Sequence, residues 1–430
     1  MLNNFYLKLK NFFSSTPSKN SIFSLKDLKK FKEANDLFSI IIQTQAGSEI
    51  KFVGGCIRKL INKEEIDDID FAINITPIEL IEILEKNNIK YVKTGFDHGT
   101  VTVLINNKKF EITSLRKDIK TDGRHTEVEY TKDWLEDASR RDFTINAIYS
   151  DINGNLFDPY GGAEDILNKK VKFIGDPNKR IQEDYLRIVR YLRFFIQYSS
   201  KNHDENAIKF IKKNLNGLSK ISKERILEEL FKMMQLDNFN LLFEDEFCKF
   251  ILLSALPQLK HYNKLKTLND ISTELKKKID KFLLLAILIV DETDNFDFFL
   301  YKFNISNNDK KRISLIQDGI KKYSIDFLLL KKNLIKICYF ENKNFVKDLL
   351  LFSIFNFPKK ISKIEKLLDY VENVVIPKFP ITATFLKEKY KFSESKKLGD
   401  ALKKLEKKWV DNDFKIDKNN IKYYLNLWKL

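Results

Sequence analysis

Apolar and polar positions change rhythm twice along this chain. Residues 21–48 carry apolar side chains at helical spacing, and the pattern stops near Gly47, so the stretch predicts a helix. From Lys51 to about Phe173 short apolar runs alternate with turns, which predicts mixed strands and helices. Lys51-Phe52-Val53 reads as a short strand, and further strands are expected at Ile69–Ile75, Ile89–Thr94, Thr100–Ile105 and Lys109–Thr113. Asn106-Asn107 supplies a hairpin turn between the last two, because asparagine tolerates the left-handed backbone of such turns. Helices are expected from Cys56 to Ile61 and over Ile78–Asn87. The second begins after Pro77, at a position where the missing proline N–H would have no helical partner anyway. Lys117–Glu129 is polar around Asp122-Gly123 and reads as an exposed flexible loop. Beyond Gly175-Asp176-Pro177 glycine nearly disappears, and leucine, isoleucine and lysine recur at helical spacing. Everything from about residue 178 onward therefore predicts α-helix, in two or three bundles. The expected class is α+β, with a small sheet-and-helix head ahead of an all-α remainder.

Size and charge narrow the picture. A chain of 430 residues has room for two to four domains, and 43% apolar residues is ordinary for a globular protein. The formal net charge of +16 points to a polyanionic partner, either nucleic acid or an anionic membrane surface. Base composition offers a rival account, since Lys, Asn, Ile and Phe are all abundant, but it does not strongly favour Lys over Glu. Cys56, Cys248 and Cys338 are odd in number and far apart, which excludes a disulfide framework and points to a reducing compartment. The four histidines are scattered and offer no zinc spacing. The longest apolar run, Phe282 to Val290, is too short to cross a bilayer and reads as a buried core helix. The first 26 residues hold no acid and several lysines. They read as a basic solvated arm of a cytoplasmic protein, the alternative being a transit peptide for an organellar matrix.

The chemistry concentrates near the front. In Asp68-Ile69-Asp70 two acids flank one apolar residue, so on a strand they share a face. Adjacent carboxylates repel unless a cation lies between them, and oxygen donors of this kind suit Mg²⁺, which takes a substrate's phosphates as further ligands. Upstream, Gly54-Gly55-Cys56-Ile57-Arg58 follows a strand and opens a helix, where free backbone amides hold phosphate oxygens. Glu111 lies on a candidate strand whose pairing would bring it beside Asp68 and Asp70. Three acids holding two Mg²⁺ ions would serve nucleotidyl transfer, one metal activating the attacking hydroxyl and the other neutralising pyrophosphate. The plain alternative is a solvent-facing strand edge. A second cluster, Asp137 with Arg140-Arg141-Asp142, can grip a triphosphate while the acid orients a guanidinium; the alternative is ordinary ion pairing at a helix start. In Glu183-Asp184-Tyr185-Leu186-Arg187, Asp184 and Arg187 are i, i+3 neighbours if the segment is helical. One acceptor beside one donor fork matches the amino group and ring nitrogen shared by cytosine and adenine, and opposes uracil and guanine. The alternative is an intrahelical salt bridge.

In this order the segments resemble the class II tRNA nucleotidyltransferase and bacterial poly(A) polymerase family. The likeness runs through Val53-Gly54-Gly55-Cys56-Ile57-Arg58, Asp68-Ile69-Asp70, Gly99-Thr100, Glu111 to Arg116, Asp122-Gly123-Arg124-His125 and Arg140 to Ala147. It continues through Phe157 to Gly162, Ile174 to Pro177, Glu183 to Phe194 and Glu224 to Leu230. A looser likeness, Leu398-Gly399 to Phe414, is similar to the C-terminal segment of alphaproteobacterial CCA-adding members. The resemblance implies a polymerase-β-like nucleotidyltransferase head over residues 51–175, preceded by a helical extension (1–50). A helical neck (176–240), body (241–350) and tail (351–430) would follow.

It further implies roles. Asp68 and Asp70 would hold the metals, with Glu111 as a third acid. Gly54, Gly55, Arg58 and Arg141 would meet the triphosphate. Asp184 and Arg187 would read the incoming base, supported by Arg190 and Arg193. The segment 113–129, with Arg116, Asp122, Gly123 and Arg124, matches the flexible loop that helps such enzymes pass from CTP to ATP. The implied activity is template-independent addition of CCA to the tRNA 3′ acceptor end with CTP, ATP and Mg²⁺; poly(A) synthesis or terminal-A addition is the alternative. One departure is Lys59, where the family usually carries Asp or Asn. It removes a potential orienting partner for Arg58.

Overall fold

The computed structural model describes residues 31–66, 68–121, 126–199, 202–394 and 396–427. The chain divides into two units, Met1–Ala255 and Leu256–Leu430. In the first, helix α1 (Lys32–Thr44) leads into β1 (Ile50–Val53), α2 (Gly55–Asn62), β2 (Asp70–Ile73), α3 (Pro77–Lys86), β3 (Lys90–Val92), β4 (Thr100–Ile105) and β5 (Lys108–Ser114). Then follow β6 (Arg116–Thr121), β7 (Thr126–Tyr130), α4 (Trp134–Ser139), β8 (Tyr149–Ser150), β9 (Leu156–Phe157) and α5 (Gly162–Leu167). The helix expected over 21–48 ends at Thr44, because Gln45 is extended and Ser48 closes a turn onto the carbonyls of Gln45 and Ile41; residues 21–30 lie outside the described ones. Helix α3 starts where Thr76 and Glu79 form a reciprocal capping box, with Pro77 in the first turn. Asn106 and Asn107 both take positive φ (49° and 64°), the requirement of a two-residue turn between β4 and β5.

Seven strands form one sheet in the order β3-β4-β5-β2-β1-β8-β9. The pairings are antiparallel except β2 with β5, which run parallel. Alternation along these strands sorts side chains by face. Phe52, Phe71 and Phe110 are buried with Phe38 of α1, ring centroids 5.0–5.9 Å apart, and form the aromatic centre of the head. Asp70 and Glu111, one residue before Phe71 and one after Phe110, therefore project from the opposite face. The strand expected at Ile69–Ile75 begins only at Asp70, yet Ile69 is buried and Asp68 exposed, so the alternation reaches back past the strand's formal start.

The described residues of the polar segment Lys117–Glu129 are not irregular. Strands β6 and β7 pair as a separate antiparallel ribbon from Arg116↔Tyr130 to Thr121↔Thr126, with a bulge between Asp118 and Lys120. Opposed charges replace apolar cross-strand pairs here: Lys117 stands opposite Glu129 and bonds it at 3.0 Å. Asp122, Gly123, Arg124 and His125 lie outside the described residues.

Helices complete this unit: α6 (Pro177–Glu183), α7 (Leu186–Phe194), α8 (Glu205–Lys213), α9 (Lys223–Met234) and α10 (Glu246–Ala255). Helix α7 widens into a π-turn over Phe195–Ser199. The second unit is helical, with no strand among its described residues. Its apolar run forms α11 (Lys281–Ile289), a core helix in which Leu283 to Ile289 are all buried. Helix α12 (Lys396–Asp411) packs Leu398, Ala401 and Leu405 against Leu386, Ile421 and Leu425 and leaves Lys403, Lys404, Lys407 and Lys408 exposed. Among the described residues no helix is long and apolar enough to cross a membrane. All three cysteines are free and buried.

Candidate active site

The site grows from one register. Val53, the last residue of β1, pairs with Asp70, the first of β2, and Asp70 pairs on its other side with Glu111 of β5. The chain leaving Val53 turns at Gly54, whose φ of 74° and ψ of −121° suit glycine alone. A side chain there would stand 3.8 Å from the Asp70 carboxylate, so the turn backbone and the acid lie next to each other. Burial pushes the Asp70 carboxyl up to about 6, with Glu111 and then Asp68 adding to the rise; Arg58 and Arg141 pull the other way and lose. An all-oxygen donor set with too much negative charge fits a hard divalent cation. Asp68, Asp70 and Glu111 are close enough to feel one another's charge, but their carboxylates do not converge tightly. The only three-donor group converging closely among the described residues is His203, Asp245 and Cys248. There burial pushes the thiol far above its usual range, and both His203 nitrogens already contact Tyr191 and Asp245, so that group packs the fold.

Across a cleft of about 640 Å³ Asp70 and Glu111 face guanidinium groups, while the exposed Asp68 lies outside its lining. Arg58, on α2, donates to the Asn146 side-chain oxygen and to the Tyr198 hydroxyl (3.3 Å) and lies over the Phe194 ring. Those contacts orient it without help from residue 59. Arg141 donates to Asp137 (3.0 Å), to the Tyr149 hydroxyl (2.9 Å) and to the Asn146 carbonyl (3.2 Å). Arg140 forks onto the other Asp137 oxygen at 2.8 and 2.6 Å. Burial alone would raise the Asp137 carboxyl, but Arg141 and Arg140 hold it well below the usual carboxylate range. Arg116, at the root of the ribbon, also lines the cleft, and its buried Nε and Nη1 have no hydrogen-bond partner. Burial and then Arg140 bring its guanidinium down to about 10. The Asp118 carboxylate stands 3.8 Å from Nε, too far for a hydrogen bond, so these donors stay open to an anion entering the cleft.

The helical side of the cleft departs from expectation. Asp184 and Arg187 both line it, but they are not partners on one helix. Asp184 is extended (φ −152°, ψ 105°) in the link between α6 and α7. Its carboxylate takes the fork of Arg225 from α9, at 3.1 and 2.7 Å. Arg187 instead donates to Glu183 (2.7 Å) and to the Arg180 carbonyl (2.7 Å). The link breaks the helix between the two residues, and each finds an opposite charge fixed beside it, Arg225 for Asp184 and Glu183 for Arg187. Arg190 bonds Asp142 (2.7 Å) and Arg193 bonds the buried Glu229 (2.7 Å), so both act as struts within the cleft wall. Sequence reasoning placed Asn146, Arg225 and Glu229 within the segments that carry the resemblance but gave them no role in the site. Asn146 bridges Arg58 and Asp142 (2.6 Å). Arg225 and Glu229 are one helical turn apart on α9, a spacing that would have hinted at a shared face, but nothing local says which face meets α7.

Comparison with known proteins agrees with this geometry. Residues 50–172 match the family described as "Poly A polymerase head domain", and residues 204–262 match "Probable RNA and SrmB- binding site of polymerase A". The human protein named "CCA tRNA nucleotidyltransferase 1, mitochondrial" is 32% identical over 397 residues, covering 88% of this chain and 86% of that one. The CCA-adding enzyme of Staphylococcus epidermidis is 32% identical over 313 residues, covering 71% and 72%. The fold matches the crystal structure of the Bacillus stearothermophilus CCA-adding enzyme in complex with CTP, with a TM-score of 0.67, 22% identity and coverage of 89% and 93%. On this evidence the chain belongs to the class II family of CCA-adding tRNA nucleotidyltransferases.

Proposed function

We propose that this protein adds the 3′-terminal CCA to tRNA without a nucleic-acid template, using CTP and ATP and releasing pyrophosphate. The observation that carries the reading is the Asp70–Glu111 register beside the Gly54 turn, facing a wall of guanidinium groups, in a chain of this family. The tRNA 3′-hydroxyl attacks the α-phosphate; a new O–P bond forms and the bond to pyrophosphate breaks. Asp68 and Asp70, with Glu111 beside them, would hold the divalent metal, which we take to be Mg²⁺. When bound it supplies activation of the hydroxyl and neutralisation of the leaving group. Gly54 and Gly55 present backbone amides to the triphosphate, and Arg58, Arg116 and Arg141 balance its charge. Asp184 and Arg187 read the base, and Arg190 and Arg193 brace that wall. We assign residues 51–175 to the catalytic head, 176–240 to the neck, and 241–350 and 351–430 to a body and tail that grip tRNA by shape and phosphates. Three buried, unpaired cysteines support a reducing compartment, which we take to be the cytoplasm, with an organellar matrix as the alternative.

The test is a tRNA transcript ending before CCA, incubated with Mg²⁺ and each triphosphate alone and in combination, followed by sequencing of the 3′ ends. Addition of C-C-A and nothing longer is expected. A growing A tail would assign the chain to poly(A) synthesis, and A placed only on transcripts already ending in CC would make it a terminal-A enzyme.

A further inference from the structure

Asp184 has a fixed backbone and a side chain whose direction is set from elsewhere. The Tyr185 ring packs directly on Gly217, where a Cβ would fall 1.8 Å from ring carbon Cδ1, so the link between α6 and α7 is pinned in place. The Arg187 N–H donates to the Asp184 carbonyl at 3.1 Å, and the Leu186 N–H donates to Asp184 Oδ1 at 3.1 Å. The remaining contacts of the carboxylate come from Arg225 on α9, one to each oxygen. Oδ1 thus receives two donors and Oδ2 one. With two lone pairs on each oxygen, Oδ2 is the atom that keeps acceptor capacity to spare. Other cations compete for this carboxylate. Arg190 already feels its charge, and Arg187 lies in the first turn of the adjoining helix. Glu183 and the Arg180 carbonyl take Nη1 of the Arg187 guanidinium and the Arg140 carbonyl accepts from Nη2 at 3.4 Å, which leaves Nε–H and one Nη2–H of its five N–H groups.

We propose that Arg225 is a positioning residue for base selection. Its fork holds the Asp184 carboxylate apart from Arg187, so that Oδ2 accepts from the amino group of cytosine or adenine while Arg187 donates to the neighbouring ring nitrogen. Without Arg225 the carboxylate collapses onto Arg187 or Arg190, and both halves of the reading edge are lost together. This inference rests on the proposed nucleotide addition and concerns how its base is chosen. A site that hydrogen-bonds one partner rejects an analogue largely through the polar groups left unpaired, so an edge that no longer holds its shape loses discrimination first.

The experiment compares wild type, Arg225→Gln, Arg225→Lys, Asp184→Asn and the Arg225→Gln/Asp184→Asn double variant. Equilibrium binding of CTP and UTP with Mg²⁺ is measured for each, together with single-nucleotide incorporation on a transcript lacking CCA. In Arg225→Gln the CTP-over-UTP binding ratio is expected to fall about tenfold or more, with UTP binding changed by less than about threefold. Arg225→Lys keeps the charge but not the fork and is expected to lose part of the ratio. It decides the matter if the glutamine variant fails to fold. In the Asp184→Asn background, loss of Arg225 should change the ratio no further. An equal loss for CTP and UTP, or a full additional loss in the double variant, would overturn the role. Wild-type protein that incorporates no nucleotide would overturn the proposed activity instead, while the binding ratios still decide the role of Arg225.

Discussion

Asp70 sits among like charges in the head, beside Glu111 and Asp68. Its carboxyl is pushed up to about 6 by burial, Glu111 and Asp68, whereas an unperturbed aspartate lies near 4. The folded protein therefore binds this proton more tightly than the unfolded chain does. The resulting stability is complete below about pH 4 and is lost as pH rises through about 6. At pH 7.5 the metal-free protein holds a buried, crowded charge. Asp70→Asn should therefore raise the melting temperature of the metal-free protein by about 2–4 °C at pH 7.5 and change it little at pH 4. Mg²⁺ should raise the melting temperature of the wild type, and the same variant should lose most of that rise and add no nucleotide to tRNA. A melting temperature that Mg²⁺ raises equally in both proteins would remove Asp70 from the metal site.

At the scale of elements, the head was legible wherever the chain carried its own local signal. The paired asparagines located the β4–β5 turn, Pro77 the start of α3, and the glycine pair the opening of α2. Asp68-Ile69-Asp70 and Glu111 were readable because alternation across a sheet depends only on period 2, and the parallel register then placed Asp70 against Glu111. The ribbon was misread because its strands carry few apolar side chains, a composition that does not separate a strand from a loop. Asp184 and Arg187 were placed on one helix because their spacing is helical, while the break between them is set by Tyr185 packing on Gly217 and by Arg225, both distant in sequence. The ribbon makes a prediction of its own. Replacing residues 118–128 with a short Gly-Ser turn should leave both C additions within about threefold of wild type and reduce A addition at least about tenfold, since rearrangement between base specificities is the step assigned to it. Equal rates for all three additions would show that the ribbon takes no part in the switch.

At the scale of the molecule, a net charge of +16 sits on a chain whose proposed partner is a polyanion. Binding of tRNA should weaken steeply with salt, by about 10³-fold or more between 50 and 200 mM if six or more phosphates are contacted. Replacing Lys403, Lys404, Lys407 and Lys408 of α12 by glutamine should flatten the slope of log K against log salt by about 0.7 for each lysine that meets a phosphate of single-stranded character and about 0.9 for duplex. An unchanged slope would exclude that face from the complex. The parallel pairing of β2 with β5 has a consequence in time. Helix α3 and strands β3 and β4 lie between its two members in the chain. No local hairpin can join the acids, so a polypeptide still leaving the ribosome exposes its glycine turn and first carboxylates well before Glu111 arrives. Until that late strand pairs with its older neighbour, Asp70 has no Glu111 beside it, and Asp184 and Arg187, the residues we assign to the base, emerge later still.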